Sequence, residues 1–107
     1  MLQFKPEVRI ARYTTRLGDV LETAAAWSLL SRVGVEVNSI NDGRGVHASS
    51  SLHYQDLAVD LDTIGDQKSD LDALTAYLRR WLHPQYDVVF EGDHIHVEWD
   101  AHRGPAR

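Results

Sequence analysis

The sequence predicts an α+β domain, a small antiparallel sheet with helices packed on one face. Three observations lead there. Apolar residues recur at spacings of three and four in two separate segments, polar–apolar alternation marks four short stretches, and the elements run in the order α-β-β-α-β-β. The 107 residues are 43% hydrophobic and 25% charged, ordinary proportions for one globular domain, whose core is expected to span about residues 8–100.

Residues 1–12 are mixed and read as irregular chain or a short strand. A helix is predicted over 15–33, where Leu17, Val20, Leu21, Ala24, Trp27 and Leu30 make one apolar stripe. Gly34 follows, where a left-handed helix cap would fall. Residues 35–40, Val-Glu-Val-Asn-Ser-Ile, alternate as a strand. A loop rich in Gly, Ser and Asn covers 41–51. A second strand is predicted over 57–62, with Leu57, Val59 and Leu61 on one face and Ala58, Asp60 and Asp62 on the other.

Ser69 with Asp72 three residues later resembles a helix N-terminal box. The helix it opens carries Leu71, Leu74, Leu78, Trp81 and Leu82 on one stripe, and His83-Pro84 marks its end. The acids between Asp66 and Asp72 suit a solvated helix start, where they complement the dipole. Two strands follow over 86–91 and 94–99, joined by a tight turn at Gly92-Asp93. The tail, 101–107, is polar. Trp27, Trp81 and Trp99 all lie on apolar faces and are expected in the core, whereas His83 and His102 are expected at the surface.

Composition excludes several classes. Acidic residues outnumber basic ones 16 to 11, for a net charge of -5, the wrong sign for a phosphate-tracking protein, so no nucleic-acid partner is expected. With no cysteine there is no disulfide scaffold, thiolate nucleophile or cysteine-based metal site. No apolar run approaches the roughly 20 residues that span a bilayer, so no membrane insertion is expected. Met1 to Lys5 opens no secretory h-region, and the expectation is a protein made in the cytoplasm without a signal peptide.

Six histidines is a high count, and their placement carries the chemistry. In the last strand, period-two alternation puts His94, His96 and Glu98 on one face and Ile95, Val97 and Trp99 on the core face. Asp93 precedes them at the turn. Upstream, His53 lies on the loop and Asp60 on a strand face. If the two strands are neighbours with the same face up, His53, Asp60 and His96 converge. Two imidazoles and a carboxylate suit zinc, which in catalytic sites keeps three protein ligands and an open position.

Taken together, Ser51-x-His53, Ala58-x-Asp60 and Asp93-His94-x-His96 resemble the zinc-dependent D-Ala-D-Ala carboxypeptidases and L-alanyl-D-glutamate endopeptidases, whose fold is shared with the Hedgehog signalling domain. Ser51-Leu52-His53-Tyr54 looks especially like the short phage-type members. The resemblance covers 35–99, and the preceding helix fits it. It implies that His53, Asp60 and His96 bind zinc, that Asp93 is the catalytic carboxylate, and that His94 stabilises the oxyanion. Arg44, in the loop before the motif, is a candidate for holding a substrate carboxylate. One departure is plain: Asp56 stands where the family has glycine, which puts substrate choice in question.

The implied activity is hydrolysis of amide bonds in peptidoglycan stem peptides, of either the carboxypeptidase or the endopeptidase type. Family habit further implies a phage endolysin that reaches the cell wall or periplasm after holin-dependent release. The alternative from another class is a zinc-stabilised binding or phage structural module of the same fold without catalysis. Intact Asp93 and His94 favour the enzyme, since a binding module needs no base.

Overall fold

The structure, a computed structural model, describes residues 1–10, 13–41 and 57–100. Among these, the elements are β1 (Leu2–Phe4), α1 (Thr15–Ser31), β2 (Val35–Asn41), β3 (Ala58–Thr63), α2 (Lys68–Trp81), β4 (Tyr86–Phe90) and β5 (Ile95–Trp99). The five strands form one sheet in the order β1-β2-β3-β5-β4. Three of the four strand pairs are antiparallel, as expected, but β1 runs parallel to β2. The sheet is therefore mixed, which corrects the antiparallel expectation. The reason is topological: α1 carries the chain back across the sheet, so the strands on either side of it point the same way.

One hydrophobic cluster holds the fold together. Leu17, Val20, Leu21, Ala24 and Trp27 from α1 and Leu71, Leu74 and Leu78 from α2 meet Val35, Val37, Val59, Leu61, Val88, Ile95 and Val97 from the sheet. Burying each such side chain contributes about 1.5–3 kcal/mol. The opposite sheet face is left to polar side chains, among them Asp60, His96 and Glu98, all partly exposed.

Both helices differ from expectation at their ends. The side chain of Thr14 caps α1 by accepting from the Leu17 N–H at 3.2 Å. The helix stops at Ser31, and Arg32, with φ 64°, takes the left-handed position assigned to Gly34. Gly34 is needed for another reason. A Cβ there would sit 2.8 Å from Ile64 Cγ1, so the glycine permits close approach of the β3–α2 connection. Leu30 is 72% exposed: it swings off the stripe, and the buried place one turn beyond Ala24 goes to Ser28, whose hydroxyl donates to the Val33 carbonyl at 2.7 Å.

In α2 the expected box does not form. The N-cap is Gln67, without a side-chain cap bond, and Asp72 pairs instead with Lys68 at 2.7 Å, one turn back. Trp81, expected in the core, is 61% exposed. It is the last helical residue, and Leu82, in extended conformation, drops into the core in its place.

The β4–β5 hairpin closes through Gly92 at φ 96°, the only one of its two central residues with positive φ, which is the II′ pattern. The Glu91 N–H donates to the His94 carbonyl at 2.8 Å. The strand ladder begins at Ile95, so His94 belongs to the turn rather than to the predicted strand.

Candidate functional site

The site is built on two adjacent interior strands of the sheet, β3 and β5. Antiparallel register places Asp60 of β3 directly opposite His96 of β5. The same rung continues outward on both sides, to Ser39 of β2 and Val89 of β4. Residues facing each other across a rung share a sheet face, so Ser39, Asp60 and His96 all stand on the face away from the core.

Ser39 reaches that face through an irregularity. Strict alternation from Val35 and Val37 would send Ser39 inward. The register shifts between Val37 and Ser39, leaving one extra residue in β2. Ile40 then turns to the core and Ser39 turns out. The Asn38 Oδ1 at this bulge is buried without a hydrogen-bond partner among the described residues. A cavity of about 300 Å³ lined by Glu7, Val8, Arg9, Asn38, Ser39 and Ile40 adjoins the Ser39 side of the rung.

The polar contacts form a chain. The Ser39 hydroxyl donates to Asp60 Oδ2 at 3.0 Å. The other carboxylate oxygen, Asp60 Oδ1, lies 2.7 Å from His96 Nδ1. The second ring nitrogen, Nε2, lies 3.1 Å from Glu98 Oε1. Burial pulls the His96 imidazole toward neutrality, but the hydrogen bond to Asp60 and the charges of Asp60 and Glu98 outweigh it and raise its pKa.

A second cluster sits at the hairpin turn. His94 Nδ1 lies 2.6 Å from Asp93 Oδ1, and its Nε2 lies 3.2 Å from Glu91 Oε1. The Asp93 hydrogen bond raises the His94 pKa against the effect of partial burial, with added help from the charges of Asp60, Asp93 and Glu91. In return the His94 hydrogen bond and charge lower Asp93. Both shifts favour a carboxylate beside an imidazolium. The Asp93 side chain is 89% exposed, so nothing buries it away from an incoming ligand.

Of the residues the sequence singles out, the structure thus joins Asp60 to His96 and Asp93 to His94. His53, Arg44 and Asp56 lie outside the described residues. Two residues were missed as site members. Glu98 shares the period-two face of His94 and His96, and that spacing is the signal that could have assigned it. Ser39 had no signal, because the bulge inverts its side.

Asp60 and His96 present an oxygen and a nitrogen suited to a divalent cation. Ligands about 2.0–2.1 Å from a tetrahedral zinc stand about 3.3 Å apart, so a pair now 2.7 Å apart would have to open slightly to hold one. Among the described residues no group of three or more His, Asp or Glu side chains is placed to hold a metal ion. Asp60 and His96 would therefore supply two of the three protein ligands that a catalytic zinc takes. No helix among the described residues is long and apolar enough to cross a membrane. Compared with known proteins, the chain matches no family model, no curated protein and no solved structure.

Proposed function

We propose that the chain is a zinc-dependent peptidase that hydrolyses amide bonds in peptidoglycan stem peptides, of the D-Ala-D-Ala carboxypeptidase or L-Ala-D-Glu endopeptidase type. The observation that carries this proposal is the facing pair of Asp60 and His96 on a partly exposed sheet face, with Asp93 and His94 in the turn that leads into β5. The likeness to the Hedgehog-type fold and the role of His53 as third ligand belong to the same proposal.

In this reading Asp60, His96 and His53 hold the metal, which when bound supplies a Lewis acid and a water acidic enough to act near neutral pH. Asp93, kept ionised by its neighbour, accepts a proton from the attacking water at a carboxylate oxygen and returns it to the leaving amine. The His94 ring, its Nε2–H turned from Glu91 to the substrate, donates a hydrogen bond to the scissile carbonyl oxygen as negative charge grows there. Arg44 is the candidate for a substrate carboxylate. The proposed place of action is the cell wall or periplasm, after holin-dependent release from the cytoplasm.

The test pairs metal analysis with digestion of purified peptidoglycan. The parent should carry about one zinc per chain and release stem-peptide fragments. Asp93→Ala should keep the zinc and lose about 10²–10⁴-fold in rate. His96→Ala should lose both. A parent that refuses added zinc while remaining folded would sink the proposal. A zinc-loaded parent that cleaves no wall preparation would favour a zinc-stabilised binding or phage structural module instead.

A further inference from the structure

We infer that Glu98 is a positioning residue: it holds the outer nitrogen of the His96 ring so that the inner nitrogen faces Asp60. The inference rests on the zinc reading above and names how this chain prepares its ligands. Each member of the facing pair turns one atom toward the other and has its second atom held by a separate residue. For Asp60, Oδ1 faces His96 and Oδ2 accepts from Ser39 at 3.0 Å. For His96, Nδ1 faces Asp60 and Nε2 lies 3.1 Å from Glu98.

A cation shared with Asp60 would take Nδ1, the ring atom that looks that way. The proton on Nε2 then stays with Glu98, whose oxygen can only accept from it. A ligand histidine whose far N–H is held by a carboxylate is fixed in tautomer and in ring orientation. The residues opposite Glu98 are Ala58 on one side and Asp87, another acid, on the other. Glu98 reaches along its own strand, to the ring two residues back.

The experiment compares the parent with Glu98→Ala, Glu98→Gln and Ser39→Ala. Zinc affinity is read by competition with a chromophoric chelator, and folding by the melting point of the metal-free proteins. The His96 ring is followed by proton–nitrogen NMR in the zinc-loaded state. Glu98→Ala should weaken zinc binding by about 10–100-fold, and the slowly exchanging His96 Nε2–H signal should vanish. Glu98→Gln, whose amide oxygen still accepts, should recover most of the affinity and the signal. Ser39→Ala should shift affinity in the same direction by less.

A Glu98→Ala protein that binds zinc as tightly as the parent overturns the inference. So does equal weakening in the Ala and Gln variants, which would mean that charge alone matters. A parent that binds no zinc overturns the peptidase reading itself, and the measurement on the parent separates that failure from the others.

Discussion

Replacing Gly92 by alanine should damage hydrolysis far more than it damages zinc binding. Gly92 sits at φ 96° in the β4–β5 turn, and a Cβ built there meets nothing within 4 Å. No clash is involved, so the cost is conformational and comes from forcing an L-residue to positive φ, about 1–2 kcal/mol. In a domain of this size that lowers the melting point by roughly 5–15 °C. The turn relieves part of the strain by shifting, and Asp93 and His94 move with it. Asp60 and His96 are held by ladder pairing on both sides and stay. Gly65 is the built-in control: it has φ 98° and equally open surroundings but lies outside the hairpin, in the β3–α2 connection. Urea unfolding, zinc titration and peptidoglycan digestion on both variants give the answer. Both should lose similar stability and keep their zinc, and only Gly92→Ala should lose activity. Equal loss of activity in the two would show that it merely tracks stability, and a Gly92→Ala protein as stable as its parent would refute the backbone argument.

Three further outcomes are expected. Trp27→Ala should cost about 3–5 kcal/mol in chemical denaturation, since Trp27 is 6% exposed, whereas Trp81→Ala, at 61%, should stay within about 1 kcal/mol. Asp62→Asn should stabilise the protein at pH 8 by about 1 kcal/mol once solvent screening is allowed for. Burial, the Asp66 hydrogen bond and the charges of Asp66 and Glu36, opposed by the Thr63 N–H, raise the Asp62 carboxyl from 3.8 to about 6. The folded state therefore favours its neutral form, that stabilisation is lost as pH rises through about 6, and the advantage of the Asn variant in melting scans should vanish below about pH 4. Gly34→Ala should cost about 1–3 kcal/mol by crowding Ile64, and Ile64→Ala in the same chain should relieve most of it.

The parts of the fold legible in the sequence are those set by local periodicity. The stripe from Leu17 to Trp27 and the alternation of Leu57, Val59 and Leu61 bury the faces they announce. What escaped depends on where elements stop or on partners far along the chain. Trp81 keeps the spacing of its stripe but falls on the last residue of α2, where an extended Leu82 fills the core instead. β1 has only three residues, and its parallel pairing with β2 is decided by the crossover through α1. At the site, the shared face of His96 and Glu98 follows from alternation alone, while their distance to Asp60 needed the strand order. Ser39 was invisible because a single extra residue at the bulge reverses the side on which alternation places it.

The division of labour across the sheet follows from the same geometry. β3 and β5 are interior strands, flanked on both sides by neighbours. Moving Asp60 or His96 by its backbone would break ladder bonds to two strands at once, and would disturb Val59, Leu61, Ile95 and Val97, all fully buried directly beneath. The proposed ligands are thus fixed by the core without belonging to it. Asp93 and His94 lie beyond the last rung, on a turn whose shape rests on one glycine. A carboxylate that must take a proton and give it back is better placed there, where small movements cost little, than on the rigid rung. In the proposed reading the hairpin joins the two requirements in six residues of sequence, from Asp93 to Glu98: an end outside the ladder for proton transfer, then a paired alternating strand for ligation and its support.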